Sequence, residues 1–112
     1  MTINEKQVGC SNCKGTKIFI EKNDEEVARA YLYFIQNDLR SERYGLMEDL
    51  FVDESLRGRG IGTKLIKKII RLAKEYDCYK LICTSRYENE KVHAIYERLG
   101  FKDHGKEFRI DF

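Results

Sequence analysis

Three glycines, Gly58, Gly60 and Gly62, stand between a segment with strand character and a segment with helical character. The first segment, Tyr44–Val52, is largely apolar and is predicted to be a strand. The second, Thr63–Tyr76, carries apolar residues at helical spacing and is predicted to be an amphipathic helix. Glycine permits positive φ and a close approach of the backbone to a ligand, and a helix N-terminus offers unpaired N–H groups that suit a phosphate. This order predicts an α/β fold with an anion-binding turn.

The spacing of this turn differs from that of two well-known phosphate loops. The nucleoside-triphosphate loop and the dinucleotide fingerprint both require a glycine where, counting from Gly58, this chain has Thr63. The spacing from Arg57 is instead R-x-x-G-x-G. An alternative interpretation is that the glycines only make a tight turn. A bound anion is favoured by three lysines in the first turns of the helix, because cations there oppose the helix dipole. They are Lys64, Lys67 and Lys68.

The remaining segments complete one mixed sheet. Besides Tyr44–Val52, strands are predicted at Thr16–Glu21, Val27–Ile35, Tyr79–Thr84 and Glu107–Phe112. A second helix is predicted from its cap at Asn89 to Gly100. The order is β-β-β-α-β-α-β, with antiparallel N-terminal strands and a central parallel pair joined by a right-handed crossover. For Val27–Ile35 a helix is the alternative, because several of its residues are good helix formers.

Length and charge limit the classes of protein. The chain has 112 residues, which is one domain's worth, and we expect a flexible lead-in over residues 1–15 and a single domain over 16–112. Lys and Arg number 21 and Asp and Glu 19, and both signs are interspersed, so a nucleic-acid partner is not expected. No run approaches the ~18 apolar residues that span a bilayer, and no signal peptide is visible. A cytoplasmic protein without a membrane partner is therefore expected.

Four cysteines leave a metal site as an alternative. Cys10 and Cys13 form a C-x-x-C, and Cys78 and Cys83 form a C-x4-C. Paired thiolates at short spacing suit zinc, but only one pair has the usual spacing, and we expect free thiols and no metal. Cys83 is not expected to act as a nucleophile, because it lies inside the predicted strand Tyr79–Thr84, whose apolar sequence is typical of a buried strand.

Two motifs give the chain a family resemblance. The R-x-x-G-x-G turn, after a strand that ends Leu-Phe-Val and before an amphipathic helix, resembles motif A of the GNAT family of N-acetyltransferases. The segment from Asn89 through Tyr96 to Phe101 resembles their motif B, N-x-x-A-x-x-x-Y-x-x-x-G-F. The resemblance covers roughly Leu46 to Phe112, more than half of the chain.

The resemblance implies an acetyl-CoA site and a GNAT-like acyl-CoA N-acyltransferase fold. In the family the strand before the turn splays from its parallel neighbour, and the pantetheine arm lies in the gap. By position, the backbone of Leu50, Phe51 and Val52 would bind the pantetheine amides, and Asn89 would contact the same arm. Backbone N–H groups of the turn would hold the pyrophosphate. These turn residues are Arg57, Gly58, Arg59, Gly60, Ile61, Gly62 and Thr63.

Two residues are catalytic candidates. Tyr96 falls on the family's general-acid tyrosine, and the alternative is a core aromatic on one stripe with Val92 and Leu99. Glu48 is predicted to share the face of Leu50 and Val52 on an otherwise apolar strand, where burial would raise its pKa toward that of a general base. The alternative is a solvent-facing edge residue. Asp49 is the weaker candidate for this role, and His93 is expected to face solvent.

The resemblance implies transfer of an acetyl group from acetyl-CoA to a primary amine by direct attack in a ternary complex. The alternatives are a non-catalytic acetyl-CoA-binding regulatory module and a nucleic-acid adaptor. Family members normally carry two helices before the hairpin that wall the acceptor groove. Here residues 1–15 are too few to form them, so we expect strands Thr16–Glu21 and Val27–Ile35 to keep a bare apolar surface. That surface would favour a macromolecular amine acceptor or a homodimer.

Overall fold

A computed structural model describes residues 1–10 and 13–112, and it forms an α/β fold built on one five-stranded mixed sheet. The strand order is β1-β2-β3-β4-β5. Pairing is antiparallel from β1 to β4 and parallel between β4 and β5. The strands are β1 Asn4–Cys10, β2 Cys13–Lys22, β3 Glu25–Ile35, β4 Tyr44–Val52 and β5 Leu81–Ile82, and the helices are α1 Ile61–Glu75 and α2 Glu90–Arg98, with a 3-10 turn at Glu54–Leu56.

The two ends of the chain differ from the prediction. Residues 4–10 form β1, which pairs along its length with β2, so most of the expected flexible lead-in is part of the sheet. Its sequence has little apolar alternation, and the pairing comes from backbone bonds to the neighbouring strand. Glu107–Phe112 was expected to close the sheet, but it has no strand partner among the described residues. Alternating side chains alone do not make a strand, because a ladder needs a second strand.

The predicted hairpin is present, and its turn has a clear local cause. Asn23 and Asp24 connect β2 to β3 with φ of 55° and 63°, which is the backbone of the tight turns that suit hairpins. Asn and Asp tolerate this conformation better than other side chains. The strand interpretation of Val27–Ile35 is therefore confirmed, and the helical alternative is wrong.

One apolar face of this hairpin is covered rather than bare. Ile18 and Ile20 are buried, as are Ala28, Ala30 and Leu32 of β3. They pack against the apolar stripe of α1, which supplies Leu65, Ile66 and Ile69 to the same core. The expectation of a bare surface is thus wrong for Ile18 and Ile20, because the crossover helix α1 covers the sheet face that carries them. Tyr31, Tyr33 and Ile35, which the same expectation included, are half-buried and lie outside this core.

A β-bulge interrupts β4 at Asp49. Tyr31 pairs with Glu48 and Arg29 pairs with Phe51, so Asp49 and Leu50 together stand opposite Ala30. Asp49 has a φ of 53°, a left-handed conformation that is uncommon for a residue other than glycine. A bulge of this kind leaves one extra residue outside the ladder and shifts the side-chain alternation beyond it.

Strands β4 and β5 are paired only at their start. The parallel partners are Gly45 with Leu81 and Leu46 with Ile82, whereas β4 runs on to Val52. The predicted strand Tyr79–Thr84 is therefore longer than the strand that forms. Beyond Leu46, β4 and the segment that follows β5 are no longer paired. The edge of β4 on this side has no strand partner among the described residues.

The two helices are close to their predicted positions. Helix α1 begins two residues before the predicted Thr63, and α2 is followed by Gly100 with a φ of 104°, as its place after the helix requires. Asn89 is at the N-cap position of α2, but its side chain makes no capping hydrogen bond. Within the described residues, neither helix is long and apolar enough to cross a membrane.

Candidate active site

An open cavity of about 1080 Å³ lies where β4 and β5 separate. One wall is the bulged part of β4, and the other is the start of α2 together with the chain that precedes it. Of the catalytic and cofactor-binding residues predicted from the sequence, five line it: Glu48, Leu50, Arg57, Asn89 and Tyr96. Asp49, the weaker candidate for the base, lines it as well. These residues come from β4, the glycine turn and α2 with its N-cap, so the fold brings both catalytic candidates and part of the predicted cofactor site together.

Glu48 is half-buried on the wall formed by β4. It pairs with Tyr31 across the sheet, whereas Met47 and Val52 face α1. The prediction that Glu48 shares a face with Val52 is wrong, because the bulge at Asp49 shifts the alternation. Burial raises the pKa of the Glu48 carboxyl, and the negative charges of Asp49 and Glu107 raise it further. A raised pKa suits a group that accepts a proton near neutral pH.

Tyr96 lies in the cavity wall on α2, and its ring also packs against Phe101 at 5.3 Å between centroids. The tyrosine thus has both a core contact and access to the cavity. Its hydroxyl shares a hydrogen bond with the Cys83 thiol. Burial, followed by the contact with Cys83, raises the pKa of the Tyr96 hydroxyl. The phenol is therefore protonated at neutral pH and available as a hydrogen-bond donor.

The Cys83 thiol is a neutral group beside Tyr96. Burial raises its pKa to about 11, although the hydrogen bond from Tyr96 acts in the opposite direction. Thiols react as thiolates, so this cysteine is a poor nucleophile at neutral pH. Sequence reasoning placed Cys83 within a strand, but it follows β5, next to the cavity wall.

The glycine turn leads directly into α1. Gly58 and Gly60 have φ of 78° and 76°, so both need the conformational freedom of glycine. Gly60 is the N-cap of α1 and supplies no capping side chain, and the first turn carries no acidic residue. The amides at this helix end are therefore without the usual side-chain partner, as an anion site requires. Lys68 does not belong to this site, because its Nζ lies 3.5 Å from Glu5 on β1.

The predicted cofactor-binding residues that do not line the cavity belong either to the end of β4 or to the glycine turn. Phe51 and Val52 continue β4 away from it, and the Val52 carbonyl accepts a hydrogen bond of 2.9 Å from Arg57 Nε. Gly62 packs against Val52, since a Cβ added there would lie 3.8 Å from its Cγ2. The other turn residues also lie outside this cavity, and they are Gly58, Arg59, Gly60, Ile61 and Thr63.

Sequence reasoning missed three participants. His93 was expected to face solvent, but its Nε2 lies 3.1 Å from Oγ of Ser85, a cavity-lining residue in the chain that precedes α2. Glu107 lines the cavity and acts on the charge of Glu48. A motif could not have revealed Ser85 or Glu107, because neither belongs to one. Ser85 lies in the segment before α2 and Glu107 in the segment after it, and both segments border the cavity.

The metal alternative concerns residues that are only partly described. The side chains of Cys10 and Cys13 lie outside the described residues, whereas Cys78 and Cys83 are free thiols. Among the side chains that the structure describes, no group of three or more His, Cys, Asp or Glu could hold a metal ion.

The chain belongs to the acetyltransferase (GNAT) family, whose family model matches residues 4–101. It is 33% identical over 98 residues to a glucosamine 6-phosphate N-acetyltransferase of Trypanosoma brucei brucei, which covers 86% of this chain and 65% of that protein. It is 41% identical over 69 residues to a spermine/spermidine N(1)-acetyltransferase of Bacillus subtilis, covering 59% of this chain and 42% of that protein. The chain thus spans less than two thirds of the length of these relatives.

A solved structure agrees with this assignment. A crystal structure of an acetyltransferase from Trypanosoma brucei matches with a TM-score of 0.77 and 30% identity. The match covers 91% of this chain and 70% of that one. The predicted GNAT-like fold is therefore confirmed.

Proposed function

We propose that this protein is an N-acetyltransferase that moves the acetyl group of acetyl-CoA to a primary amine by direct attack in a ternary complex. The observation that carries the proposal is the meeting of Glu48 and Tyr96 in one cavity at the separation of β4 and β5. A proton acceptor and a proton donor face the same space there. Family membership supplies the reaction class.

The backbone of this site suits an extended amide-containing ligand such as the pantetheine arm. Buried or half-buried backbone N–H and C=O groups need partners, and the edge of β4 beyond Leu46 has none on β5. The bulge leaves a further residue, Asp49 or Leu50, outside the ladder with β3. An extended ligand lying in the gap would pair with this edge as a strand does. Asn89, uncommitted to its helix cap, faces the same gap.

The glycine turn suits the phosphates of the same ligand. The uncapped N-terminus of α1 offers amides and the positive end of the helix dipole. Arg57, Arg59 and Lys64 add positive charge beside it. Acetyl-CoA supplies an activated acetyl group as a thioester. The chain's own residues bind it, accept the proton of the amine and donate a proton to the thiolate.

Glu48 is proposed as the general base. A lysine-like amine with a pKa of ~10.4 is neutral only about four times in ten thousand at pH 7, so removal of its proton is a needed step. A carboxylate whose pKa is raised by burial accepts that proton better than an ordinary one. Tyr96, whose phenol keeps its proton, donates to the departing thiolate.

Binding and turnover test this proposal separately. Calorimetry with acetyl-CoA and with 3′-dephospho-CoA should show binding of both, with the dephospho form weaker because a phosphate is missing. Absence of heat with acetyl-CoA at millimolar concentration would overturn the assignment.

The turnover assay follows thiol release with a panel of amines. The panel contains glucosamine 6-phosphate, spermidine and a lysine peptide, the first two taken from the names of the relatives. Release with one of these amines supports the enzyme and names its acceptor class. Binding of acetyl-CoA without release for any amine would instead favour the non-catalytic module.

A further inference from the structure

Two side-chain contacts join α2 to the chain that follows β5. The Tyr96 hydroxyl shares a hydrogen bond with the Cys83 thiol, and His93 Nε2 forms a second hydrogen bond, of 3.1 Å, with Ser85 Oγ. The first contact belongs to the proposed proton donor. The second contact involves neither the proton donor nor the proposed base, so the proposed reaction leaves it without a role.

The two contacts follow opposite chain directions. Along α2, His93 and Tyr96 are three residues apart, so they lie on the same side of the helix. In the chain after β5 the order is reversed, because the earlier residue, Cys83, meets Tyr96 and the later residue, Ser85, meets His93. This chain is thus held against about one turn of α2 at two points.

His93 lies beside the cavity wall and is not part of its lining. Asn89, His93 and Tyr96 are separated by four and three residues, so they share one side of α2 and its cap. Asn89 and Tyr96 line the cavity, and so does Ser85, whereas His93 does not. The imidazole therefore touches a residue of the wall without lining the cavity itself. This is the place of a side chain that acts through its neighbour.

The wall that follows β5 receives little support from the sheet. Strands β4 and β5 pair at only two positions, the second of which is Leu46 with Ile82. Past this pair, no ladder within the described part of the chain fixes the distance between β4 and residues 84–88. One side of the cavity is nevertheless formed by Thr84, Ser85, Arg86 and Glu88. The position of these residues relative to β4 therefore depends on side-chain contacts such as those with α2.

We propose that His93 is a positioning residue, whose hydrogen bond with Ser85 holds residues 84–88 against α2 and so sets the width of the gap that receives acetyl-CoA. The inference rests on the proposed function, because that function assigns the gap to acetyl-CoA. Without the hydrogen bond, residues 84–88 can move away from α2, and the ligand must order them when it binds. Ordering the chain at a binding site lowers affinity, so the loss should appear in binding and not in the chemical step.

Paired alanine variants measure this contribution by calorimetry. His93→Ala and Ser85→Ala should each raise the Kd of acetyl-CoA by about 2- to 10-fold, the worth of one net hydrogen bond. The double variant should bind no more weakly than either single variant, because both substitutions remove the same interaction. His93→Gln and Ser85→Thr should retain wild-type affinity, since each keeps a hydrogen-bonding group. In turnover, His93→Ala should raise the KM for acetyl-CoA and leave kcat unchanged.

NMR relaxation of the ligand-free protein gives a readout that needs neither ligand nor turnover. Backbone order parameters of residues 84–88 should fall in both alanine variants, whereas those of α1 should not change, because only the wall is released. His104→Ala is the matched control. It removes the chain's other histidine, which is exposed and does not line the cavity, and it should leave both the order parameters and the Kd unchanged.

Several results would overturn the proposal. These are an unchanged Kd in both alanine variants, losses that add in the double variant, order parameters of residues 84–88 that do not fall, and weak binding by His93→Gln, which would assign the effect to packing of the imidazole ring. Absence of acetyl-CoA binding by the wild-type chain would instead overturn the proposed function. The order parameters are measured without ligand, so they still decide whether His93 holds this segment.

Discussion

Glu48 and Val52, four residues apart on β4, lie on opposite faces of the sheet. Val52 pairs with the buried Ala28 and contacts the core beneath α1, whereas Glu48 pairs with Tyr31 and faces the cavity. The bulge at Asp49 causes this difference, because it adds one residue between them. A regular strand would place both side chains on the same face, and Glu48 would then be directed into the apolar core.

The first prediction concerns this carboxyl group. A general base works when it is ionised, so kcat/KM should fall as the pH drops through the pKa of Glu48. Burial and the neighbouring negative charges raise that pKa, so the acid limb should lie above the ordinary glutamate value of about 4.3. Glu48→Gln should remove the limb and lower kcat/KM by roughly 10²–10⁴-fold, measured in a pH–rate profile.

Asp49 provides the companion variant. Asp49→Asn removes a charge that raises the pKa of Glu48, and Asn tolerates the left-handed backbone of this position. The acid limb should move to lower pH while remaining visible. An unchanged limb in both variants would assign it to another group.

The second prediction concerns Tyr96. Tyr96→Phe removes the hydroxyl but keeps the ring that packs on Phe101. Affinity for acetyl-CoA should be retained, and kcat should fall by roughly 10²–10⁴-fold because the proton donor is lost. Tyr87→Phe is the control, since Tyr87 is exposed and should retain the wild-type rate. A wild-type kcat for the Tyr96 variant would leave this residue with a packing role only.

The third prediction compares two glycines of the turn. Gly60 has a φ of 76°, so Gly60→Ala should cost about 1–2 kcal/mol of folding free energy and weaken acetyl-CoA binding. Gly62 lies in the first turn of α1, where an added Cβ meets only Val52 at 3.8 Å. Gly62→Ala should therefore stabilise the fold by about 0.5–1 kcal/mol. Urea denaturation measures both, and equal effects would contradict the assigned backbone conformations.

The fourth prediction concerns a buried hydroxyl. Thr16 is fully buried, and its Oγ1 has no hydrogen-bond partner among the described residues. Leaving a hydroxyl unpaired in the core costs about 1–3 kcal/mol, so Thr16→Val should raise the free energy of unfolding by about 1 kcal/mol. Thr16→Ala should lower it, because the smaller side chain leaves a cavity. A loss of stability in the valine variant would contradict this prediction and indicate that the Thr16 hydroxyl is hydrogen-bonded to a water molecule.

Local sequence determined the elements of the chain that have a local cause. Asn23-Asp24 fixes the hairpin turn, the apolar period from Leu65 to Leu72 fixes α1, and Gly100 ends α2 with a positive φ. The R-x-x-G-x-G and N-x-x-A-x-x-x-Y patterns also identified the family, because each pattern has its characteristic residues within a short stretch of the sequence. Cavity-lining positions such as Arg57 and Asn89 could be predicted for the same reason.

Tertiary structure decided what depends on a partner strand or a distant neighbour. Strand β1 forms from a polar sequence because β2 offers it a backbone edge, whereas the alternating Glu107–Phe112 forms no strand because no described strand pairs with it. The direction of Glu48 depends on a bulge that is defined only by the register against β3. The raised pKa of Tyr96 depends on burial beside Cys83. Periodicity describes one segment at a time, but pairing, register and burial are properties of two.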